Sequence, residues 1–484
     1  MVDVAVIGGG VSGMTAAYGL RSRGYRVVVL ERQTHIGGHA VSEQCEGFLM
    51  EHGPSTVSAD APVAVELARE LGLEDQRCGL GEGVRRRYLV SRGTLCGISL
   101  HPLGFLCSNY LSIGAKLRLL AEVAVPPRRG AEMGEETVAA FAARRFGAEF
   151  AARVIDPMVG GIYAARASET SAAALFPGLT ELERRHGSVT AGILYRRRRG
   201  GAMPGSRLFS WRDGIGALPR ALARRLGGAV RTGVAVRRIE RRAGAFRLDA
   251  GPSGCLDARA VVIATPPQVA AAMLDRVDGL AAAAAARIEA PPLAVVFLGY
   301  RRQDVAHPLD GLGFLAAEDE RRTLNGVQFS STMFPGRAPR GSVALTAYFG
   351  GARAPDVARA PVAELIHLAD RELRELIGAC GRPLLAKVRH WPIGLPQYRV
   401  GHRSRVATLR EASLRHPGLF VTGNYFSGPS VAACVAQSLE ITARVRQFLE
   451  CRSDGSVDLP GEQQERQFIP VATETGLDWR PAAA

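Results

Sequence analysis

At 484 residues the chain is longer than one ordinary hydrophobic core organises, so length points to about two to four domains. Apolar residues make up 47% of it, as in globular proteins, and no apolar run is long enough to span a bilayer, which excludes a helical integral membrane protein. Lys plus Arg exceed Asp plus Glu by 61 − 46 = 15, a surplus that either steers the chain toward acidic partners or reflects arginine usage on a solvated surface.

In chain order, no charged-then-apolar leader opens the sequence, and Met1 runs almost directly into Val-Asp-Val-Ala-Val-Ile at 2–7, a buried parallel strand. A cytoplasmic protein is expected. Gly8-Gly9-Gly10 is a turn, a helix follows through Ser12 to about Ser22, and a second strand at 25–30 ends on Glu31. Strand, glycine turn, helix, strand is a βαβ unit. A helix is predicted over 62–72. Residues 103–195 lack strand signals and alternate helix-like stretches with breakers such as Pro126-Pro127, which predicts a helical insertion. Strand character returns at 229–240, 245–250 and 260–264. Long strands of a second sheet are predicted at 293–300 and 342–349. Residues 418–424, followed by a helix, return to the character of the first domain. After about Cys451 the chain is polar, and a disordered tail is expected. The eight cysteines are scattered without a CxxC, so neither a zinc site nor a disulfide framework is indicated.

The first chemical motif is Gly8-x-Gly10-x-x-Gly13. Placed between a strand and a helix, with Glu31 ending the next strand, it predicts a dinucleotide site. Gly8 permits the turn, and Gly10 admits the pyrophosphate to the backbone at Val11 and Ser12, where helix N-terminal amides meet its charge. Gly13 permits close helix–strand packing, and Glu31 accepts from ribose hydroxyls.

The segment Glu31-Arg32-Gln33-Thr34-His35-Ile36-Gly37-Gly38-His39, with Gly53-Pro54 after it, resembles the flavin amine-oxidase superfamily and implies FAD, held noncovalently. In that superfamily a basic residue usually stands four after the Glu; here the place holds His35. A narrower resemblance is carried by Arg144-Arg145-Phe146-Gly147, Asp156-Pro157-Met158-Val159-Gly160-Gly161-Ile162-Tyr163, Gly311-Leu312-Gly313-Phe314-Leu315, Phe334-Pro335-Gly336-Arg337 and Leu395-Pro396-Gln397-Tyr398-x-x-Gly401-His402. Together these resemble the oxygen-dependent protoporphyrinogen oxidase family.

The resemblance implies an α/β fold: a discontinuous Rossmann-like FAD-binding domain (1–60, 205–275 and 396–450), a mixed-sheet substrate domain (61–102 and 276–395) and a helical, membrane-docking insertion (103–204). It implies a reduced tetrapyrrole with propionate arms as substrate, protoporphyrinogen or coproporphyrinogen, with dioxygen as oxidant. Arg87 is the expected propionate partner. Gly160 and Gly161 are expected to let the macrocycle lie near backbone, and Leu315 and Phe334 to sandwich its rings. Gly423, Asn424, Ser430 and Val431 are expected along the flavin, although Pro429 stands where relatives often have glycine and lacks an N–H. Val234 and Val236 are expected on a strand, with Val236 against the adenine. The run Arg196–Arg199 is a candidate for lipid head groups or an exposed loop. An anionic membrane surface and a homodimer are admitted as partners; nucleic acid is not expected, because no recognition module accompanies the charge. An amine, carotenoid or secondary-metabolite oxidase, or a non-redox flavoprotein isomerase, remain rival readings.

Overall fold

The computed structural model describes residues 1–99, 102–128, 134–198 and 207–453. The apolar run Val2–Ile7 forms the middle of a seven-stranded sheet, parallel to Val27–Leu30 on one side and to Cys255–Ile263 on the other. The long strand Cys255–Ile263 pairs antiparallel with Ala245–Asp249 through its first half and parallel with Leu419–Val421 through its second. Both faces are covered, as a continuous apolar strand requires. Val4 and Val6 pack toward helices Val11–Arg21, Ala217–Leu226 and Val431–Ser453. Ala5 and Ile7 pack toward Gly279–Ala286 and His402–Arg415. Strands from distant parts of the chain thus build one doubly wound, Rossmann-like layer.

A second seven-stranded sheet runs in the order Leu385–Trp391, Leu293–Arg301, Ser342–Gly350, Leu324–Gln328, Gly311–Leu315, Arg86–Ser91 and Thr94–Ser99. One of its faces makes a core with helix Val362–Ile377 through Leu365, Ala369 and Leu373. The other face meets the hairpin Ser42–Cys45/Phe48–Glu51 of the first domain, where Phe48 and Phe297 lie 6.0 Å apart. A helical layer between positions 102 and 198 closes around Val138, Phe141, Val159, Leu182 and Val189. Within it the side chains of Arg145 and Glu122 form an ion pair at 0% exposure.

Two expectations change. The hairpin Arg86–Ser91/Thr94–Ser99 was not read as strands; the basic run at its start hides the alternation. The strand expected over 229–240 is broken into Val230–Arg231 and Arg238–Arg242. Val234 and Val236 lie between them, because Gly233 turns the chain at positive φ and Gly233 N and Val234 N donate to Gln33 O and Glu31 O. The last helix runs to Ser453; the tail beyond it lies outside the described residues, as does Arg199. Among the described residues, no helix is long and apolar enough to cross a membrane.

Candidate active site

The three motif glycines separate by what a Cβ would meet. At Gly8, φ is +111° and a Cβ would stand 2.5 Å from Ala264 O; at Gly13 it would stand 2.0 Å from Gly8 O. The protein itself forbids side chains there. At Gly10 a Cβ would meet only Gly38 Cα, at 3.9 Å. No atom of the described residues requires that glycine, so the space is open to something else. Gly10 precedes helix Val11–Arg21, whose start has no side-chain cap and no acidic residue in its first turn. Open amides beside a bare backbone suit a pyrophosphate. Gly37 and Gly38 lay a second glycine loop against the first, with Gly37 N donating to Gly9 O at 2.8 Å.

Glu31 ends the second strand and accepts from Gly9 N at 2.7 Å and Gln33 N at 2.8 Å. It fixes the glycine turn and, with about four lone-pair directions on a carboxylate, keeps capacity for ribose hydroxyls. Arg32 and His35 are exposed. His39 is different: its Nε2 lies 3.1 Å from Ile393 O and its ring meets Trp391 edge-on at 4.5 Å. Burial pushes its pKa down, so it is a neutral donor to backbone rather than a phosphate cation. Gly53 lies against the His39 carbonyl, where a Cβ would come within 2.5 Å, and Pro54 follows it. Val236 is buried beside the second strand.

At the carboxyl ends of the central strands, where open α/β sheets bind ligands, the hydroxyls of Thr265 and Thr422 are buried and have no hydrogen-bond partner among the described residues. The segment 423–431 leaves this edge. Ser430 Oγ accepts from Ala433 N at 3.1 Å, capping the helix that Val431 begins. Asn424 O accepts from Tyr398 Oη, and Tyr425 O is met by His402 Nε2 at 2.7 Å. Tyr398 and His402 entered the sequence reading only as part of a family motif. The structure gives them work: they hold two successive carbonyls of the segment expected along the flavin. The bare glycines, open helix start and orphaned hydroxyls fit FAD.

The substrate-side residues divide. Tyr88, Phe314, Val327 and Phe349 belong to the core on one face of the second sheet, so by alternation Arg87, Leu89, Leu315, Gln328 and Tyr348 lie on the other, where Leu89 and Leu315 pack with Tyr110 and Leu111 of the helical layer and Gln328 meets Ser55 of the first domain. Arg87 is exposed to water, and the surrounding protein lowers its pKa through desolvation. Among the described residues it has no carboxylate partner. Leu315 sits under Gly161, where a Cβ would meet its Cδ2 at 2.3 Å. Gly160 is bare for a protein reason: a Cβ there would stand 2.0 Å from Arg353 Cζ, so a guanidinium fills the space that sequence reasoning kept for a ligand. That guanidinium pairs with Asp156 at 2.8 Å and keys the glycine helix to the sheet. Phe334 is 2% exposed and enclosed by protein, with Arg337 above its ring at 5.4 Å.

The chain matches the family of flavin containing amine oxidoreductases over residues 11–444. It belongs to that family. This flavin oxidoreductase is 31% identical over 480 residues to coproporphyrinogen III oxidase of Propionibacterium freudenreichii, covering 90% of its own length and 89% of the relative. It is 29% identical over 474 residues to the chloroplastic protoporphyrinogen oxidase of Nicotiana tabacum, covering 93% and 86%. A crystal structure from Exiguobacterium, provisionally assigned as a protoporphyrinogen oxidase, superposes with a TM-score of 0.79 at 20% identity, over 93% of this chain and 99% of that one. The resemblance read from the motifs therefore stands: the oxidoreductase is a member of the protoporphyrinogen oxidase family and takes FAD as its cofactor.

Proposed function

We propose that this enzyme oxidises a porphyrinogen to the porphyrin, with dioxygen as terminal oxidant and hydrogen peroxide as product. The observation that carries the reading is Arg87, an exposed guanidinium with no carboxylate partner among the described residues, on the same sheet face as Leu315. An unpaired cation beside apolar side chains suits a flat apolar molecule with acidic arms. FAD, when bound, supplies the hydride acceptor. The chain's own part is placement. Arg87 takes a propionate and so sets the rotation of the macrocycle; Leu315, backed by Gly161, gives a fixed apolar contact; Tyr398 and His402 hold the wall that carries Asn424 and Tyr425. The relatives named for protoporphyrinogen and coproporphyrinogen support the substrate class. The test is porphyrin fluorescence on aerobic incubation of the yellow holoprotein with each porphyrinogen. Failure of every porphyrinogen to bleach the flavin anaerobically would overturn the reading.

The same reading sets the helical layer on an anionic membrane surface. Ile113, Leu117, Leu120 and Val123 are 77%, 63%, 60% and 54% exposed. Their spacing makes one outward stripe on helix Ile113–Leu120 and the turn after it.

A further inference from the structure

The face of the second sheet that carries Arg87 also carries a polar group that the reading above leaves unused. Gln328 Oε1 accepts from Ser55 Oγ and from Tyr348 Oη, each at 3.0 Å. The donors come from opposite walls. Ser55 follows Gly53-Pro54 of the first domain, and Tyr348 stands on strand Ser342–Gly350 of the second sheet. Burial holds the Tyr348 phenol far above its ordinary pKa, so it remains a proton donor. With both hydroxyls donating to Oε1, the oxygen is occupied and the Nε2 hydrogens are directed away from them. Among the described residues Nε2 has no protein acceptor.

Its position relative to Arg87 matters. The sheet order is Ser342–Gly350, Leu324–Gln328, Gly311–Leu315, Arg86–Ser91, so Gln328 and Arg87 are two strands apart. Gln328 pairs with Gly313, and the bulge at Leu312 and Gly313 lies opposite Arg87. At ordinary strand spacing the two side chains start roughly 10 Å apart, with a residue that has no side chain between them. A single carboxylate cannot contact both. Two acid arms on one flat molecule can.

Resting on the porphyrinogen reading, we infer that Gln328, oriented by Ser55 and Tyr348, binds a second carboxylate arm of the substrate and so selects coproporphyrinogen over protoporphyrinogen. Coproporphyrinogen carries a propionate on every pyrrole ring; protoporphyrinogen replaces some of these with vinyl groups. A vinyl group against Gln328 would leave the amide hydrogens unpaired, and a site built to hydrogen-bond rejects the analogue that lacks the partner more strongly than an apolar pocket rejects a polar one.

The experiment compares kcat/KM for the two porphyrinogens in the wild-type, Gln328→Leu and Gln328→Glu holoproteins, with flavin content checked for each. The wild type should favour coproporphyrinogen. Gln328→Leu should lower its kcat/KM about tenfold or more, chiefly through KM, while sparing protoporphyrinogen. Gln328→Glu should penalise coproporphyrinogen further by charge repulsion. Tyr348→Phe and Ser55→Ala, which only release the amide, should move the ratio the same way by less. If Gln328→Leu lowers both substrates equally, or if the wild type favours protoporphyrinogen, the inference is wrong and the porphyrinogen reading survives. If the wild type oxidises neither, the porphyrinogen reading falls first.

Discussion

Gly10 and Gly13 offer a paired test of whether the first turn is built for a ligand or for itself. Gly10 has φ −74° and ψ 176°, a conformation open to any L residue, and a Cβ there meets only Gly38 Cα at 3.9 Å. In the apoprotein Gly10→Ala therefore loses a little as a helix N-cap and gains about as much by stiffening the unfolded chain. Each effect is worth about 0.5–1 kcal/mol and they have opposite signs. Apoprotein stability should stay within about 0.5 kcal/mol of the wild type. The methyl group nevertheless stands where the pyrophosphate must approach the helix amides, and FAD affinity should fall at least a hundredfold, about 2.7 kcal/mol. Gly13→Ala behaves differently. Its Cβ would lie 2.0 Å from Gly8 O, so helix and strand must separate and the fold itself should weaken by several kcal/mol. Denaturant melts of the flavin-free proteins, with FAD titration by fluorescence quenching, separate the two outcomes. The reasoning is refuted if Gly10→Ala binds FAD as tightly as the wild type, or if it destabilises the apoprotein as much as Gly13→Ala does.

Other outcomes follow from the same geometry. Arg87→Ala should raise the porphyrinogen KM roughly tenfold to a hundredfold, the value of one charge-assisted bond of about 1.5–3 kcal/mol, and should leave flavin content unchanged. Arg87→Lys should recover only part of it, and an unaltered KM in Arg87→Ala would remove the propionate assignment. His402 is 2% exposed, and burial, with Arg405 adding to it against Tyr425 O and Glu135, brings its pKa down to about 4. Between pH 6.5 and 4 the unfolded chain holds the extra proton, so stability should fall with acidification across that window, by up to roughly 3 kcal/mol. Urea midpoints of the wild type and His402→Gln at pH 7.5 and 5 check this, and an identical pH slope in the variant would count against it. Leu117→Glu with Leu120→Glu should abolish flotation with anionic liposomes and leave melting unchanged; full flotation by the double variant would rule the stripe out.

What was legible in the sequence is what the chain settles locally. Gly8, Gly10, Gly13 and Glu31 sit within one βαβ unit, where spacing and function coincide, and the family motifs led to the fold class and to FAD. What depends on distant partners stayed hidden. Gly160 and Gly161 owe their bareness to Arg353 and Leu315, and no spacing rule connects those positions. Phe334 was singled out by its motif alone, and its enclosure under Arg337 comes from residues that the motif does not relate to its ring. Gln328 gave no signal at all, since its meaning comes from strand register against Gly313 and from Ser55 of the first domain. One cue was available and unused. Arg92 and Gly93 both have positive φ and join Arg86–Ser91 to Thr94–Ser99, and a two-residue connection ending in glycine is a hairpin signal that would have placed Arg87 on a strand.

The helical layer shows why periodicity alone does not locate a surface. Ile113, Leu117 and Leu120 recur at helical spacing, a pattern that fits a stripe facing inward or outward equally well. Polar contacts decide the direction. Ser112 caps the helix through Ala115 N at 3.1 Å and donates its own N–H to Glu149 at 2.9 Å. Arg118 donates to the carbonyls of Arg144 and Arg145, at 3.0 Å for the latter. Just beyond the helix, Glu122 takes Arg145, Ser188 Oγ and the amides of Val189 and Thr190. A helix anchored through its polar side does not need its apolar side for folding, and that side is left facing water. Breaking the Arg145–Glu122 pair would leave a buried charge unpaired at a cost of about 3–5 kcal/mol, so this anchoring resists rolling the stripe inward. Attachment through such a stripe survives high salt, whereas attachment through exposed arginines such as Arg196–Arg198 is screened away. Flotation at high salt therefore assigns the contact to the stripe rather than to the basic run.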